Sequence, residues 1–335
     1  MPRIAINGFG RIGRNTFKAG FGQRGFEVVA INDLTDPEIL ASLLQNDTVY
    51  GRFEKKVKAG AGSITVGGKK IPVFSERDPL KLPWKELKID LVIESTGVFR
   101  TEEAASAHIK AGAKRVIISA PSKGGDVPTY ILGVNDKGLK KEKRAIVDNA
   151  SCTTNCAAPV MSVLEDAFGV KKAMLSTIHA YTATQKLQDG PHKDPRRARA
   201  AAMNVIPTTT GSATSTAKAI PSLKGKFDGM AFRVPVINGS VTDFTVVLKK
   251  KVTVEQVNAA FVKASKTPRY KGKLVTSTEP LVSSDIIGNP ASSIVDLPLT
   301  MVVAGDLVKV VSWYDNEWGY SVRLAEMALK IPRLK

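Results

Sequence analysis

Residues Gly8-Phe9-Gly10-Arg11-Ile12-Gly13 join a strand-like run to a helix-like one. Before them stands Arg3-Ile-Ala-Ile-Asn7, short and apolar in the manner of a buried strand, and from Arg11 onward the residues suit a helix. Glycines at this spacing permit a tight turn, the close approach of a pyrophosphate, and a helix laid near its strand. The helix N-terminus then offers its unpaired N–H groups to the anion. Such a loop needs an acid at the end of the next strand, about 20 residues on, to bind ribose hydroxyls. Asp33 closes Glu27-Val-Val-Ala-Ile-Asn-Asp33. Its carboxylate would repel a 2′-phosphate, so NAD is expected over NADP, with Gly8, Gly10 and Asp33 in its site.

The pattern continues through the first half of the chain. Strands are expected at Asp90–Ser95, Arg115–Ser119 and Ala145–Asp148, short β-branched runs of the kind a parallel sheet covers on both faces. Thr101-Glu-Glu opens a helix that Gly112 closes, and Ser63–Phe74 reads as a hairpin turning at Gly67-Gly68. After about residue 150 the pattern changes. Ser240–Leu248 alternates polar and apolar residues like a half-exposed antiparallel strand, and similar signals recur at Ala231–Val236, Ser292–Asp296 and Leu307–Trp313. Helices are expected at Val254–Ala264 and Trp318–Leu329. The fold class is therefore α/β followed by α+β. An N-terminal Rossmann dinucleotide-binding domain, residues 1–151, precedes a second domain, residues 152–315, built on an antiparallel or mixed sheet. A length of 335 residues fits two domains.

The net charge is +18, which raises nucleic-acid or membrane binding. Its lysines, however, come in short groups such as Lys55-Lys56, Lys69-Lys70 and Lys249-Lys250-Lys251, mostly at turns, and aromatics are only 6%. A solvated surface is the better reading, with anionic small molecules as users of any local excess and nucleic acid not required. No apolar run approaches the roughly 20 residues that cross a bilayer. The opening residues lack the basic and apolar regions of a secretory signal, so no membrane partner and a cytoplasmic location are expected.

Both cysteines lie in Ala150-Ser-Cys-Thr-Thr-Asn-Cys156. Residues this close make an awkward disulfide, disfavoured in a reducing compartment. With only His108, His179 and His192 beside the carboxylates, and no C-x-x-C, no metal site is expected. Cys152 falls ahead of the helix-forming run Ala157–Phe168, where a helix N-terminus lowers a thiol's pKa and can hold an oxyanion. Cys156, one turn deeper on an apolar stretch, reads as packing. A thiolate needs a basic or cationic partner. His108 falls on the face of a helix read as surface and His192 in a basic loop, whereas His179 ends the apolar strand Ala173–His179.

With those residues in place, the chain resembles the phosphorylating glyceraldehyde-3-phosphate dehydrogenase family from end to end. The matching stretches are INGFGRIGR, ASCTTNC, HAYTATQ, RRARAAA, IPTTTG, FRVP and WYDNEWGYS, in the family's order and spacing. The resemblance implies NAD-dependent oxidative phosphorylation of D-glyceraldehyde 3-phosphate to 1,3-bisphosphoglycerate. Cys152 would attack the aldehyde, His179 would take the hydroxyl proton, and inorganic phosphate would cleave the resulting thioester. A paralogue acting on erythrose 4-phosphate shares these motifs.

The substrate and phosphate are anions, and the resemblance assigns Ser151, Thr153, Thr210 and Gly211 to one anion site and Thr182 and Arg233 to the other. Arg197 would lie between them. For NAD it adds the backbone of Arg11 and Ile12, then Arg77, Thr96 and Ser119, with Asn316 on the carboxamide and Tyr320 near it. It also implies that the C-terminal helix, 316–335, completes the first domain, and that the basic loop Lys186–Ala201 with its apolar run Ala198–Met203 lies at an interface of a homotetramer. The sequence departs from many members at Thr184, at Gly190-Pro191 and after Gly211.

Overall fold

A computed structural model describes residues 2–331; residues 332–335, the end of the expected C-terminal helix, lie outside the described residues. The chain divides into two compact units. Of the described residues, one unit comprises 2–130, 136–150 and 321–331; the other comprises 131–135 and 151–320.

The first unit runs β1 (Arg3–Asn7), α1 (Arg11–Gly20), β2 (Glu27–Asn32), α2 (Pro37–Gln45), β3 (Asn46–Asp47), β4 (Gly51–Arg52), β5 (Val57–Gly60), β6 (Ser63–Val66), β7 (Lys69–Phe74), β8 (Leu91–Glu94), α3 (Glu102–Lys110), β9 (Val116–Ile118) and β10 (Ile146–Asp148). Its main sheet is ordered β10-β9-β8-β1-β2-β7-β6-β5. The strands from β10 to β7 are parallel, and β7, β6 and β5 form an antiparallel edge. Strands β8, β9 and β10 are buried along their whole length, as expected of apolar runs covered on both faces. Helices α1 and α3 carry the chain between parallel neighbours, β1 to β2 and β8 to β9. Helix α3 starts where Thr101 accepts a hydrogen bond from Ala104 N at 3.1 Å. It ends at Gly112, whose φ of +107° a side chain would resist.

The second unit runs α4 (Cys152–Phe168), β11 (Val170–Ala180), β12 (Ile206–Thr209), α5 (Ser212–Ala219), β13 (Phe227–Val234), β14 (Ser240–Leu248), α6 (Val254–Ser265), β15 (Leu274–Ser277), β16 (Ser293–Asp296), β17 (Met301–Val303), β18 (Leu307–Tyr314) and the start of α7 (Trp318–Lys330). The sheet order is β12-β13-β11-β14-β18-β16-β15, with β17 on β18. It is mixed: β11 pairs parallel with β13, and β15 with β16, while the other pairs are antiparallel. On β14 the alternating sequence turns Phe244, Val246 and Leu248 into a core shared with α4 and α6. Helix α4 begins five residues ahead of the expected apolar run. Ser151 caps it, its Oγ accepting from Thr154 N at 3.1 Å, and this recruits Cys152–Cys156 into the first turns.

Candidate active site and cofactor cleft

In the second unit Cys152 is the first residue of α4, where the opening N–H groups of a helix have no carbonyl partner within it. Strand β11 brings His179 to the same place, with Nε2 3.4 Å from Cys152 Sγ. The parallel register of β11 and β13 sets Arg233 directly opposite His179. Arg233 Nη1 lies 2.7 Å from His179 Nδ1 and donates to Ala180 O at 3.0 Å, while Nδ1 is also 2.7 Å from that carbonyl. Arg233 Nε is buried with no protein partner, a donor that an anion would satisfy.

Burial pushes the Cys152 thiol up, and Arg233 and the N–H groups of Thr153 and Cys152 pull it back. This opposes the simple expectation of a helix terminus lowering the thiol: desolvation is the largest single influence. Burial, then the neighbouring guanidinium, pushes His179 down to about 3. At 3.4 Å His179 Nε2 lies within hydrogen-bonding reach of the Cys152 sulfur. Cys156 is different. It is fully buried, its sulfur is 3.9 Å from Ser293 Oγ and 3.8 Å from Ser312 O, and burial drives its thiol up to about 12.

The expected anion-binding residues are engaged in distinct ways. Ser151 Oγ meets Thr154 Oγ1 at 2.7 Å. Thr153 is buried with its hydroxyl turned inward to Tyr314 at 2.9 Å, so only its backbone remains to face a ligand. Thr182 Oγ1 pairs with Thr184 Oγ1 at 2.8 Å, just beyond the end of β11. Arg197 Nε donates to Thr208 Oγ1 at 2.8 Å, beside Asp194, which fixes it against β12. Thr210 and Gly211 follow that strand, Thr210 Oγ1 accepting from Ser212 N at 3.2 Å and Gly211 forming the N-cap of α5. Sequence reasoning missed Tyr314, which reaches Thr153 from the far end of the chain, and Thr208 and Asp194, which hold Arg197 from nearby in sequence.

In the first unit a cleft of about 360 Å³ opens at the ends of the parallel strands. Gly8, Gly10, Asp33, Arg77 and Thr96 line it, together with Asn7, Asn32 and Glu76, which sequence reasoning missed. Gly8 has φ +90°, and a Cβ there would stand 2.6 Å from Thr96 N. A Cβ at Gly10 would meet nothing within 4 Å, so the backbone is bare where a pyrophosphate would lie. Gly10 is the N-cap of α1 and makes no side-chain cap, leaving the N–H groups of Arg11 and Ile12 at the helix start. The Arg11 side chain is occupied elsewhere, bonding Asp47 at 2.7 Å. Asp33 accepts from Phe9 N at 2.7 Å and Thr35 N at 3.0 Å, which ties the acid to the glycine loop. Bare glycine backbone, helix terminus and acid together fit a dinucleotide.

Three cofactor candidates lie outside the lining of this cleft, and one surface reading is corrected. Ser119, half-buried beyond β9, donates its N–H to Glu94 O at 2.9 Å and is not among the residues lining the cleft. Asn316 and Tyr320 are buried in the second unit, Asn316 Oδ1 accepting from Ser240 Oγ at 2.8 Å. His108, read as a surface residue, is wholly buried, because α3 packs Ala105 and His108 inward and Glu94 lies 3.0 Å from its Nε2. Among the described residues no group of three or more His, Cys, Asp or Glu side chains converges as a metal site would. Among the described residues no helix is long and apolar enough to cross a membrane.

A parallel-sheet cleft that fits a dinucleotide in one unit and a thiol–imidazole pair at a helix N-terminus in the other point to a class, the nucleotide-dependent oxidoreductases. The comparisons specify it. Residues 2–102 match the NAD binding domain of glyceraldehyde 3-phosphate dehydrogenase, and residues 151–316 match that family's C-terminal domain. The chain is 52% identical over 328 residues to glyceraldehyde-3-phosphate dehydrogenase 2 of Streptomyces avermitilis, covering 98% of this chain and 97% of that one. It is 51% identical over 329 residues to glyceraldehyde-3-phosphate dehydrogenase of Geobacillus stearothermophilus, covering 98% of each. Against that of Borreliella burgdorferi it is 51% identical over 335 residues, covering 98% and 99%. The chain belongs to the glyceraldehyde-3-phosphate dehydrogenase family. It is an oxidoreductase, and its cofactor is NAD.

Proposed function

We propose that this chain oxidises and phosphorylates D-glyceraldehyde 3-phosphate to 1,3-bisphosphoglycerate through a thioester on Cys152. The observation that carries this reading is the 3.4 Å contact between Cys152 Sγ and His179 Nε2 at the start of α4. Cys152 Sγ gives its proton to His179 Nε2 and attacks C1 of the aldehyde, and the oxyanion so formed takes that proton back from His179 to give a thiohemiacetal. The N–H groups at the head of α4 are placed to hold that oxyanion. His179 Nε2 then removes the hydroxyl proton as a hydride leaves C1, and the product is a thioester. NAD supplies the hydride acceptor. An oxygen of inorganic phosphate attacks the thioester carbon, the C–S bond breaks, and the thiolate is regenerated with the acyl phosphate.

Two anions must be held, and fixed guanidinium groups suit phosphate. Arg233, with its unpartnered Nε, serves one anion with Thr182; Ser151, Thr153, Thr210 and Gly211 serve the other; Arg197 stands between them. In the cofactor site Gly8, Gly10, Arg11 and Ile12 receive the pyrophosphate and Asp33 the ribose. Arg77, Thr96 and Ser119 extend the site, and Asn316 and Tyr320 take the carboxamide end. In this assignment residues 1–151 with the C-terminal helix form the NAD domain, and residues 152–315 form the catalytic and assembly domain.

The chain assembles as a homotetramer and works in the cytoplasm. Both cysteines are free thiols, which suits a reducing compartment. The assembly reading is supported by Leu187, near the start of the basic loop, and Met203, just beyond its end, which are 81% and 82% exposed in the isolated chain. The test is NADH absorbance with glyceraldehyde 3-phosphate or erythrose 4-phosphate, each with and without phosphate. Phosphate-dependent turnover that prefers the triose supports the reading. Preference for the tetrose, or turnover indifferent to phosphate, defeats it.

A further inference from the structure

Glu94, His108 and Trp84 are 1%, 0% and 0% exposed and lie beneath the cofactor cleft, yet the proposed chemistry uses none of them. A carboxylate in that position is costly unless its oxygens are fully hydrogen-bonded. Here they are. Glu94 Oε1 accepts from Thr96 N at 2.9 Å and from Thr96 Oγ1, and Oε2 accepts from Asn7 Nδ2 at 2.5 Å. The last donor is His108, with Nε2 3.0 Å from Oε2. Its tautomer is fixed by Trp84, whose indole N–H can only donate and reaches Nδ1 at 3.0 Å. Nδ1 is therefore the acceptor, and the ring proton sits on Nε2, aimed at Glu94.

The chain of bonds does not stop at the carboxylate. Asn7 Oδ1 accepts from Asn32 Nδ2 at 2.7 Å, and the Asn32 amide clamps the Glu76 backbone on both sides, Nδ2 to O at 2.8 Å and Oδ1 from N at 2.9 Å. Asn7, Asn32, Glu76 and Thr96 all line the cleft; the first two end β1 and β2, and the others lie just beyond β7 and β8. One buried acid thus fixes separate parts of the wall at once.

We propose that Glu94 and His108 are positioning residues that preorganise the NAD cleft, Glu94 by gathering its wall and His108 by supplying the buried donor that completes the acid's hydrogen bonds. The proposal rests on the NAD site described above. It differs from a packing role in one decisive way: it depends on which atoms accept. Glu94→Gln preserves the volume but turns one acceptor into a donor. In one amide orientation that donor faces Asn7 Nδ2 and His108 Nε2, and in the other it faces Thr96 N. His108→Leu removes the ring donor and strands the Trp84 N–H, whereas His108→Gln can accept from Trp84 and donate to Glu94.

The experiment is NAD titration of the full chain, followed by steady-state kinetics and iodoacetamide alkylation of Cys152. Wild type that fails to bind NAD defeats the functional reading itself. Given binding by wild type, Glu94→Gln and His108→Leu should each weaken NAD by about tenfold, the size of one spoiled hydrogen bond to a buried charge. The loss should fall on KM for NAD with kcat and the alkylation rate unchanged, and His108→Gln should restore affinity to within about threefold of wild type. Should Glu94→Gln not fold, the His108→Leu and His108→Gln pair decides alone. NAD affinity equal to wild type in Glu94→Gln or His108→Leu overturns the proposal, as does a His108→Gln that binds as poorly as His108→Leu.

Discussion

At the residue scale the two cysteines separate by environment, not by distance along the chain. Cys152 stands at a helix terminus against His179 and Arg233, while Cys156 sits one turn deeper with its thiol driven up to about 12. Cys152→Ser should lower turnover by on the order of 10³-fold or more, because a hydroxyl is scarcely ionised near neutral pH. Cys156→Ser should keep most activity and lose about 1 kcal/mol of stability, since a hydroxyl there has Ser312 O as an acceptor. Steady-state rates and denaturant midpoints of both variants check this. His179 gives a pH signature as well. Its folded pKa, about 3, lies below the unfolded value, so the unfolded chain binds more protons across the interval between them. The stability tied to this residue is therefore present above about pH 6.5 and lost as pH falls toward 3. His179→Asn should flatten that part of the stability–pH curve and slow alkylation of Cys152 at neutral pH. Unchanged alkylation would remove His179 from the pair.

At the element scale the glycine loop was legible because local geometry alone dictates it. A turn from strand to helix with a phosphate against bare backbone admits few residues, and Asp33 follows at a set distance. The two glycines that open the motif do different work, and their variants should separate. Gly8→Ala forces a Cβ against Thr96 N at positive φ and should cost roughly 1–3 kcal/mol as well as NAD affinity. Gly10→Ala points its methyl into open space at φ −71°, so it should leave the melting temperature near wild type and still block the pyrophosphate. Paired melting curves and NAD isotherms distinguish the two. What could not be read from the sequence involves partners far apart in the chain. The alternation of β14 revealed a half-buried strand, but nothing in β11 announces a parallel neighbour or the register that sets Arg233 against His179. His108 looked like a surface residue for the same reason: its partners, Trp84 and Glu94, lie on other segments and no helical periodicity encodes them.

At the scale of the whole molecule, the resemblance extends from the first strand to the last helix, and about half of the aligned residues match each of three bacterial relatives. A dihedral tetramer closes through self-complementary interfaces, which would cover Leu187 and Met203. Light scattering at low micromolar protein should give a tetramer mass, and Leu187→Asp with Met203→Asp should shift it to smaller species. A monomer of full activity would contradict the assembly. The charge of +18 fits this account as a solvated surface around sites for anionic ligands. The central claim is the covalent thioester on Cys152, and trapping it is the most direct test. The protein is mixed with glyceraldehyde 3-phosphate and NAD in the absence of phosphate, and NADH is followed while peptides are mapped by mass spectrometry. The account predicts a burst of one NADH per chain and an acyl group on Cys152 that phosphate then discharges. NADH formed with Cys152 unmodified, or an acyl group that phosphate leaves in place, would contradict it.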